Sequence, residues 1–114
     1  MAHTFKLLTK AGVTSSDVIY TPDSVTTVIL GLILGNTTTS QVTATVSLAS
    51  TTSSRAGDNN ENNQTVELIT NTPIPAGSSL ELLAGNKVVM ENNDALSVSA
   101  TGSTDVALSI MEIS

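Results

Sequence analysis

Hydrophobic and polar residues alternate along most of this chain with a period of two. In the clearest run, residues 41–50, one face carries Val42, Ala44, Val46 and Leu48. The opposite face of the same run carries Thr43, Thr45, Ser47 and Ala49. Because successive side chains of a strand point to opposite faces, this alternation predicts a half-buried antiparallel strand with a threonine-rich outer face.

The same period predicts about nine strands. We expect them at residues 4–10, 17–20, 25–34, 41–50, 65–70, 79–84, 87–91, 96–100 and 106–111. No twelve-residue window has the spacing of an amphipathic helix. The sequence therefore predicts an all-β fold, an antiparallel β-sandwich or jelly-roll of about eight to nine short strands. We expect a single domain over residues 1–114, in which residues 1–24 form an amino-terminal arm and short strands.

Residues 25–34 are apolar on both faces, which predicts a central or doubly covered strand, and Gly31 within them predicts either a bulge or a close approach of another backbone. Residues 35–40 are turn-forming, so a hairpin should join this strand to residues 41–50. The dipeptide Gly85-Asn86 likewise predicts a tight hairpin turn. The two prolines within residues 71–77 should stop a strand and form an extended connector that crosses between sheets.

Composition removes several classes of function. The net charge is −6 with only four basic residues, which disfavours binding to nucleic acid or to anionic membranes. The absence of cysteine excludes a disulfide framework, a thiolate metal site and a cysteine nucleophile. The longest apolar run, residues 28–34, is too short to span a membrane as a helix, and we see no secretory signal at the start.

Candidate chemistry is sparse. The one histidine, His3, lies near the amino terminus, and the ten acidic residues are scattered. The long polar segment 51–64, expected to be an exposed loop, contains Asp58, Asn60 and Asn62 at the spacing that opens a calcium loop. The required glycine and the final glutamate of that loop are replaced by Asn63 and Ile69. We therefore expect no catalytic residues, no cofactor and no metal site.

Two non-catalytic functions remain open from the residues. Carbohydrate-binding sandwiches usually present exposed aromatic faces, but the aromatic residues here are Phe5 and Tyr20, and their alternating runs predict core packing. Outer strand faces of threonine and serine with few lysines leave sheet edges poorly guarded. That composition favours a protein that assembles into a homo-oligomer, with a plain monomer as the alternative.

Several runs resemble small virion proteins of tailed bacteriophages. They are residues 28–36 (VILGLILGN), 42–48 (VTATVSL), 74–80 (IPAGSSL), 85–90 (GNKVVM) and 94–98 (DALSV). The resemblance covers about two thirds of the chain. It implies a non-enzymatic capsid decoration (cement) protein, made in the host cytoplasm and located in the virion. The alternatives that it implies are a tail, neck, baseplate or fibre component.

The resemblance also implies partners. These are the major capsid protein or other virion subunits, and further copies of the chain, with a trimer favoured because cement proteins often sit at local three-fold points. We expect the candidate contacts in two segments, the amino-terminal residues 2–10 and the loop 51–64. Both should be exposed, and the first can add a strand to the sheet edge of a neighbouring subunit. The contact residues that we predict are Ala2, His3, Thr4, Phe5, Lys6, Arg55, Asp58, Asn60 and Glu61.

Overall fold

The computed structural model describes residues 2–51, 64–83 and 87–114. Nine strands occupy them: β1 (His3–Val13), β2 (Ser16–Tyr20), β3 (Thr26–Asn36), β4 (Val42–Ser50), β5 (Gln64–Ile74), β6 (Ser79–Leu82), β7 (Val88–Met90), β8 (Ala95–Ala100) and β9 (Thr104–Ile113). None of the described residues forms a helix, and so no helix among them could cross a membrane.

The strands form two antiparallel sheets. Sheet I has the order β1-β9-β3-β6, with β7 also paired to β3, and sheet II has the order β2-β8-β4-β5. Their inner faces enclose one hydrophobic core. The prediction of an antiparallel β-sandwich with about nine strands is confirmed.

In β4 and β8, the buried residues are those that the alternating pattern predicts for the core. Val42, Ala44 and Val46 of β4 are buried, as are Leu96 and Val98 of β8. In sheet I, register aligns Leu8 of β1, Leu108 of β9, Leu32 of β3 and Leu82 of β6 in one row across four strands. Leu108 and Leu32, in the middle of this leucine row, are fully buried because both neighbouring strands and sheet II cover them.

The hairpin expected at residues 35–40 is wrong, because β3 lies in sheet I and β4 in sheet II. The chain changes sheets around Asn36, which is buried. The Asn36 amide donates from Nδ2 to the carbonyls of Ser40 (2.8 Å) and Ile74 (2.9 Å). Its Oδ1 accepts from the backbone N–H of Thr38 at 2.9 Å. The Asn36 side chain thus supplies hydrogen bonds where a hairpin would have backbone-to-backbone bonds. It binds the connection between β3 and β4 on one side and the end of β5 on the other.

The hairpin expected at Gly85-Asn86 is also wrong, although residues 84–86 themselves lie outside the described part of the chain. Strands β6 and β7 do not pair with each other, since both pair with β3. Leu82 lies opposite Leu32 and Val88 lies opposite Ile29, so the two short strands follow each other along one edge of β3. The eleven residues of β3 are long enough to pair with both.

The connector predicted around the two prolines does cross between the sheets, but it begins later in the sequence than predicted. Pro73 does not stop the strand: it lies within β5, opposite Thr43 of β4. A proline is tolerated there because β5 is an edge strand. The strand ends at Ile74, and residues 75–78 then cross from sheet II to sheet I. The bulge predicted at Gly31 is confirmed by a register shift between Ile29 and Gly31.

Candidate docking surface

The structure brings the predicted amino-terminal contact residues together in one place. Ala2 precedes β1, and β1 contains His3, Thr4, Phe5 and Lys6, all of them exposed. This strand forms an edge of sheet I and pairs with β9. The remaining predicted contacts, Arg55, Asp58, Asn60 and Glu61, lie outside the described residues, as does the run with calcium-loop spacing.

A hydrogen-bonded network joins the two sheets near Lys6. Tyr20 of β2 donates from its hydroxyl to Glu112 Oε2 of β9 at 2.6 Å. The Tyr20 and Thr27 hydroxyls are 2.7 Å apart, and because the phenol has one proton, Thr27 is the donor of that bond. Lys6 Nζ completes the network at 2.8 Å from Glu112 Oε1. Strands β1, β9 and β3 of sheet I are thereby tied to β2 of sheet II.

The network shifts the pKa values of Tyr20 and Glu112 in opposite directions. Burial, reinforced by the bond to Glu112, raises the pKa of Tyr20 to about 12. The hydrogen bond from Lys6, followed by that from Tyr20, lowers the pKa of the Glu112 carboxyl below its ordinary value. Tyr20 therefore remains a neutral donor over the physiological range, and Glu112 remains a carboxylate.

We expect this network to make the protein less stable in acid. Because the folded pKa of Glu112 is lowered, its contribution is present above the unfolded value and is lost as pH falls through the folded one. The substitution Glu112→Gln should lower the free energy of unfolding at pH 7 by up to about 1 kcal/mol, since Lys6 is half-exposed. Denaturation curves measured from pH 7 to pH 2 should show this difference shrinking with acid.

Glu81→Gln is the matched control for the acid prediction. Glu81 is exposed in β6, and no ion pair involves it among the residues that the structure describes. The control should leave the free energy of unfolding at pH 7 within about 0.5 kcal/mol of that of the parent protein. A Glu112→Gln protein with the same pH dependence as the parent would contradict the role assigned to Glu112.

The outer face of sheet I carries several large apolar side chains. Register places Phe5, Met111, Val28 and Val89 in one row across β1, β9, β3 and β7. A parallel row holds Thr9, Ala107, Ile33 and Glu81. Leu7 and Leu30 line a shallow groove between the rows, together with Ile33 and Ser109. We call this surface the apolar face.

The most exposed large side chains of the apolar face are Phe5, which is 71% exposed, and Leu7, which is 66% exposed. Ile33 and Val89 are also exposed on it. The prediction that Phe5 packs in the core is wrong, whereas the same prediction for Tyr20 is confirmed. Contiguous exposed apolar surface of this kind marks binding sites in soluble proteins.

The outer face of sheet II differs in chemistry. Its rows carry Ser16, Ser97 and Ser99 beside Thr45 and Ser47, with Val18 as the exposed large apolar side chain. The predicted threonine- and serine-rich outer face therefore applies to sheet II and not to sheet I. The two outer faces of the sandwich are chemically unlike, and only one of them has the composition of a docking surface.

The apolar face has a signal in the sequence, the run of residues 25–34 that is apolar on both sides. Strand β3, which contains most of this run, is indeed central in sheet I. Its inner row is covered by the core, while the outer residues Val28 and Leu30 are half-buried and Ile33 is exposed. A doubly apolar central strand, together with the neighbouring Ala107 and Met111, indicates a second surface that this chain does not cover.

No protein-family profile matches this chain, and no curated protein matches it in sequence. It is similar to a solved Bacillus endospore appendage protein, from disulfide-linked pili, with 12% identity over 96% of this chain and 85% of that one and a TM-score of 0.43.

It is also similar to a chain of the T13 particle of infectious bursal disease virus, with 10% identity over 96% of this chain and 35% of that one and a TM-score of 0.39. A chain of the Gx strain of that virus is 13% identical over 96% of this chain and 36% of that one, with a TM-score of 0.27. The present chain thus spans about a third of the viral chains. With TM-scores below 0.5, none of these likenesses bears on function.

Proposed function

We propose that this protein is a non-enzymatic structural subunit that binds another protein subunit through the apolar face. The observation that carries the proposal is the cluster of Phe5, Leu7, Ile33 and Val89 exposed on one sheet surface. A large apolar side chain contributes about 1.5–3 kcal/mol when it goes from full exposure to full burial. Covering this face therefore supplies a driving force that offsets part of the cost of association.

The specific role that we propose is capsid decoration in a bacteriophage virion. It is supported by the resemblance of five runs within residues 28–48 and 74–98 to small phage virion proteins, and by the exposed side chains of the apolar face. The partner would be the major capsid protein or another virion subunit. A ligand that binds only the assembled lattice stabilises it by about 2.7 kcal/mol per site at a hundredfold excess over Kd.

A tail, neck, baseplate or fibre component is the alternative within the same class. It uses the same face and differs in stoichiometry. In particles purified from the phage that encodes this chain, a decoration protein should be present at hundreds of copies. A tail or neck component should be present at about three to twenty-four copies, as closed point-group symmetry dictates. The trimer that the resemblance favours stays a prediction.

The exposure of Phe5 gives one observation in favour of a glycan-binding module. The ring lies open on the apolar face, where a sugar ring can stack. Its surroundings are poor in hydrogen-bonding groups, since the groove beside it is lined mainly by aliphatic side chains. The second aromatic residue, Tyr20, is buried, and its hydroxyl is already bonded to Glu112. The surface is therefore better suited to protein than to carbohydrate.

A matched pair of variants tests the proposed docking face. Val89 is 54% exposed on the apolar face, and Val18 is 59% exposed on the outer face of sheet II. We expect Val89→Glu to weaken binding to particles that lack the protein by about tenfold or more, because it places a charge in the buried contact. The substitution Val18→Glu should bind as the parent does. Co-sedimentation of purified protein with particles measures both.

The outcomes of this test separate the candidate functions. Equal binding by the two variants would contradict docking through the apolar face. Failure of the parent protein to bind particles, together with saturable binding of a glycan that is lost in Phe5→Ala, would replace the structural role with the glycan module. Circular dichroism of each variant confirms that the sandwich is intact.

A further inference from the structure

We propose that the free edge of β1 pairs with the β1 edge of a second copy, antiparallel, about a two-fold axis centred on Leu7. The result is one continuous sheet formed from the sheet I of both copies. This inference deepens the structural role proposed above by naming a partner, a second copy of this chain. It rests on backbone hydrogen bonding along one strand, which can be tested in purified protein without any particle.

The direction of each backbone group of β1 follows from one pair of hydrogen bonds. Ala2 and Ser114 exchange both bonds, with N···O distances of 3.2 and 3.0 Å. In an antiparallel ladder, bonded and non-bonded pairs alternate, so the even-numbered residues of β1 bond to β9. The backbone groups of Phe5, Leu7 and Thr9 therefore point away from β9 and into solvent. They form a template for one more strand.

The edge of β1 differs from the other three edges of the sandwich. Strand β2 has five residues and a register shift. Strand β5 carries Pro73 and two shifts in its pairing with β4. The remaining edge is divided between β6 and β7, of four and three residues. In contrast, β1 pairs with β9 without a shift from His3 to Lys10. It is the long regular edge among the residues that the structure describes.

Charge selects the register between two copies. Hydrogen bonds between the two copies can form only where odd-numbered residues of β1, whose backbone groups point away from β9, lie opposite odd-numbered residues of the second copy. The two-fold axis must therefore pass through a residue position and not between two residues. An axis through Lys6 places Lys6 opposite its own copy, and an axis through Leu8 places Lys6 opposite Lys10; like charges directly opposite destabilise a ladder. An axis through Leu7 places Lys6 opposite Leu8 and Lys10 opposite Thr4.

The axis through Leu7 also gives the longer ladder among the registers free of opposed lysines. Within the regular part of β1 it pairs residues 4–10 of each copy, whereas an axis through Phe5 pairs only residues 3–7 and an axis through Thr9 only residues 8–10. Bonded pairs would then form between Phe5 and Thr9 on both sides of a central Leu7–Leu7 pair. With two bonds per pair, the ladder contributes about six hydrogen bonds.

The side chains of β1 suit this pairing. Phe5 and Leu7 stand on the apolar face directly at the free edge, so pairing brings the Phe5 and Leu7 side chains of both copies into one cluster. Lysine on an edge strand normally guards it against pairing. Here the Lys6 ammonium is paired with Glu112 at 2.8 Å, and the axis through Leu7 places no second cation opposite it. The apolar faces of the two copies become one surface of twice the width.

A single cysteine tests the register, because the chain has no cysteine of its own. In the proposed pairing the Leu7 Cα atoms of the two copies lie about 5.5 Å apart, within the range of a disulfide. We expect Leu7→Cys to form a covalent dimer under mild oxidation at least about tenfold faster than Val18→Cys. Val18 is a comparably exposed residue on the β2 edge strand. Equal rates would overturn the proposal.

A proline tests the backbone bonds. The N–H of Thr9 points away from β9, so Thr9→Pro should leave the β1–β9 ladder intact while removing a hydrogen bond at two symmetric places in the dimer. We expect Thr9→Pro to weaken the dimer by about tenfold or more relative to Thr9→Ala, measured by sedimentation. A dimer equally strong in both variants would contradict the edge pairing, and circular dichroism verifies that both variants are folded.

Light scattering of the parent protein separates this inference from the proposed function. A mass of two chains supports the pairing of β1 edges. A mass of one chain at all accessible concentrations, or of three chains with Leu7→Cys giving no covalent dimer, would overturn it. Particle binding that persists in a monomeric protein would overturn the dimer alone. A dimer that binds no particle would overturn the docking role and leave the dimer standing.

Discussion

Replacing Leu108 by alanine should lower the free energy of unfolding by about 2–5 kcal/mol, the range of fully buried leucines. Leu108 is fully buried in β9, the strand that pairs with both β1 and β3 in sheet I. It lies between Leu8 and Leu32 in the leucine row. The loss combines the transfer free energy of the removed atoms with the cost of a cavity that neighbours on both sides hold open.

Leu7→Ala is the control for this experiment, because it makes the same chemical change next to the leucine row. Leu7 is 66% exposed on the apolar face, so its truncation should change stability by about 0.5 kcal/mol or less. Urea denaturation at concentrations where the protein is monomeric measures both. A Leu108→Ala protein as stable as Leu7→Ala would mean that the core does not lie between the two sheets as described.

Replacing Asn36 by aspartate should cost about 2–4 kcal/mol, despite the close match in shape. The amide donates to the carbonyls of Ser40 and Ile74, and a carboxylate can donate to neither. Two carbonyl oxygens would lose their donor and face a negative charge in a buried position. Removing one partner of a buried hydrogen bond costs about 1–3 kcal/mol. Two bonds are lost here, and the expected total lies in the lower part of the summed range because the bond to Ser40 is only partly buried.

Asn92→Asp is the matched control for Asn36→Asp. Exposed Asn92 accepts from the backbone N–H of Ser24 through Oδ1 at 2.7 Å, a role that a carboxylate fills equally well. We expect this variant to keep the stability of the parent within about 0.5 kcal/mol. If thermal melts show the two aspartate variants unfolding together, the donor role of Asn36 is contradicted.

The strands of this fold were predictable because the alternation of apolar and polar residues that marks a strand lies within the strand itself. The alternation in residues 41–50 and 96–100 depends on one row facing the core, and the structure shows β4 and β8 with that row buried. The pairing of strands was not predictable in the same way. Both hairpins that we expected join neighbours in sequence, whereas β1 pairs with β9 and β2 with β8. Local turn residues do not report such long-range partners.

The candidate site was predictable in part for a related reason. The pattern in β1 offers two apolar rows, one with Phe5 and Leu7 and one with Leu8, and the lysines at positions 6 and 10 favour the first as the inner row. In the structure, the row with Leu8 faces inward. Lys6 lies on the same side of β1, and because β1 is at the edge of the sheet, its half-exposed side chain still reaches Glu112. Which row faces inward therefore depended on a partner in β9 that alternation in β1 does not reveal.

The position of β9 between β1 and β3 has a consequence for synthesis. Sheet I cannot form until the strand at the end of this sequence has left the ribosome, since β9 joins its two halves. Until then, β3 lacks the neighbouring strand of sheet I that helps to bury its inner leucines, Leu32 and Leu34. Folding dominated by such distant pairings is slow and exposes apolar strands to association. A nascent chain of this protein is thus most vulnerable in the interval before the ten residues of β9 emerge.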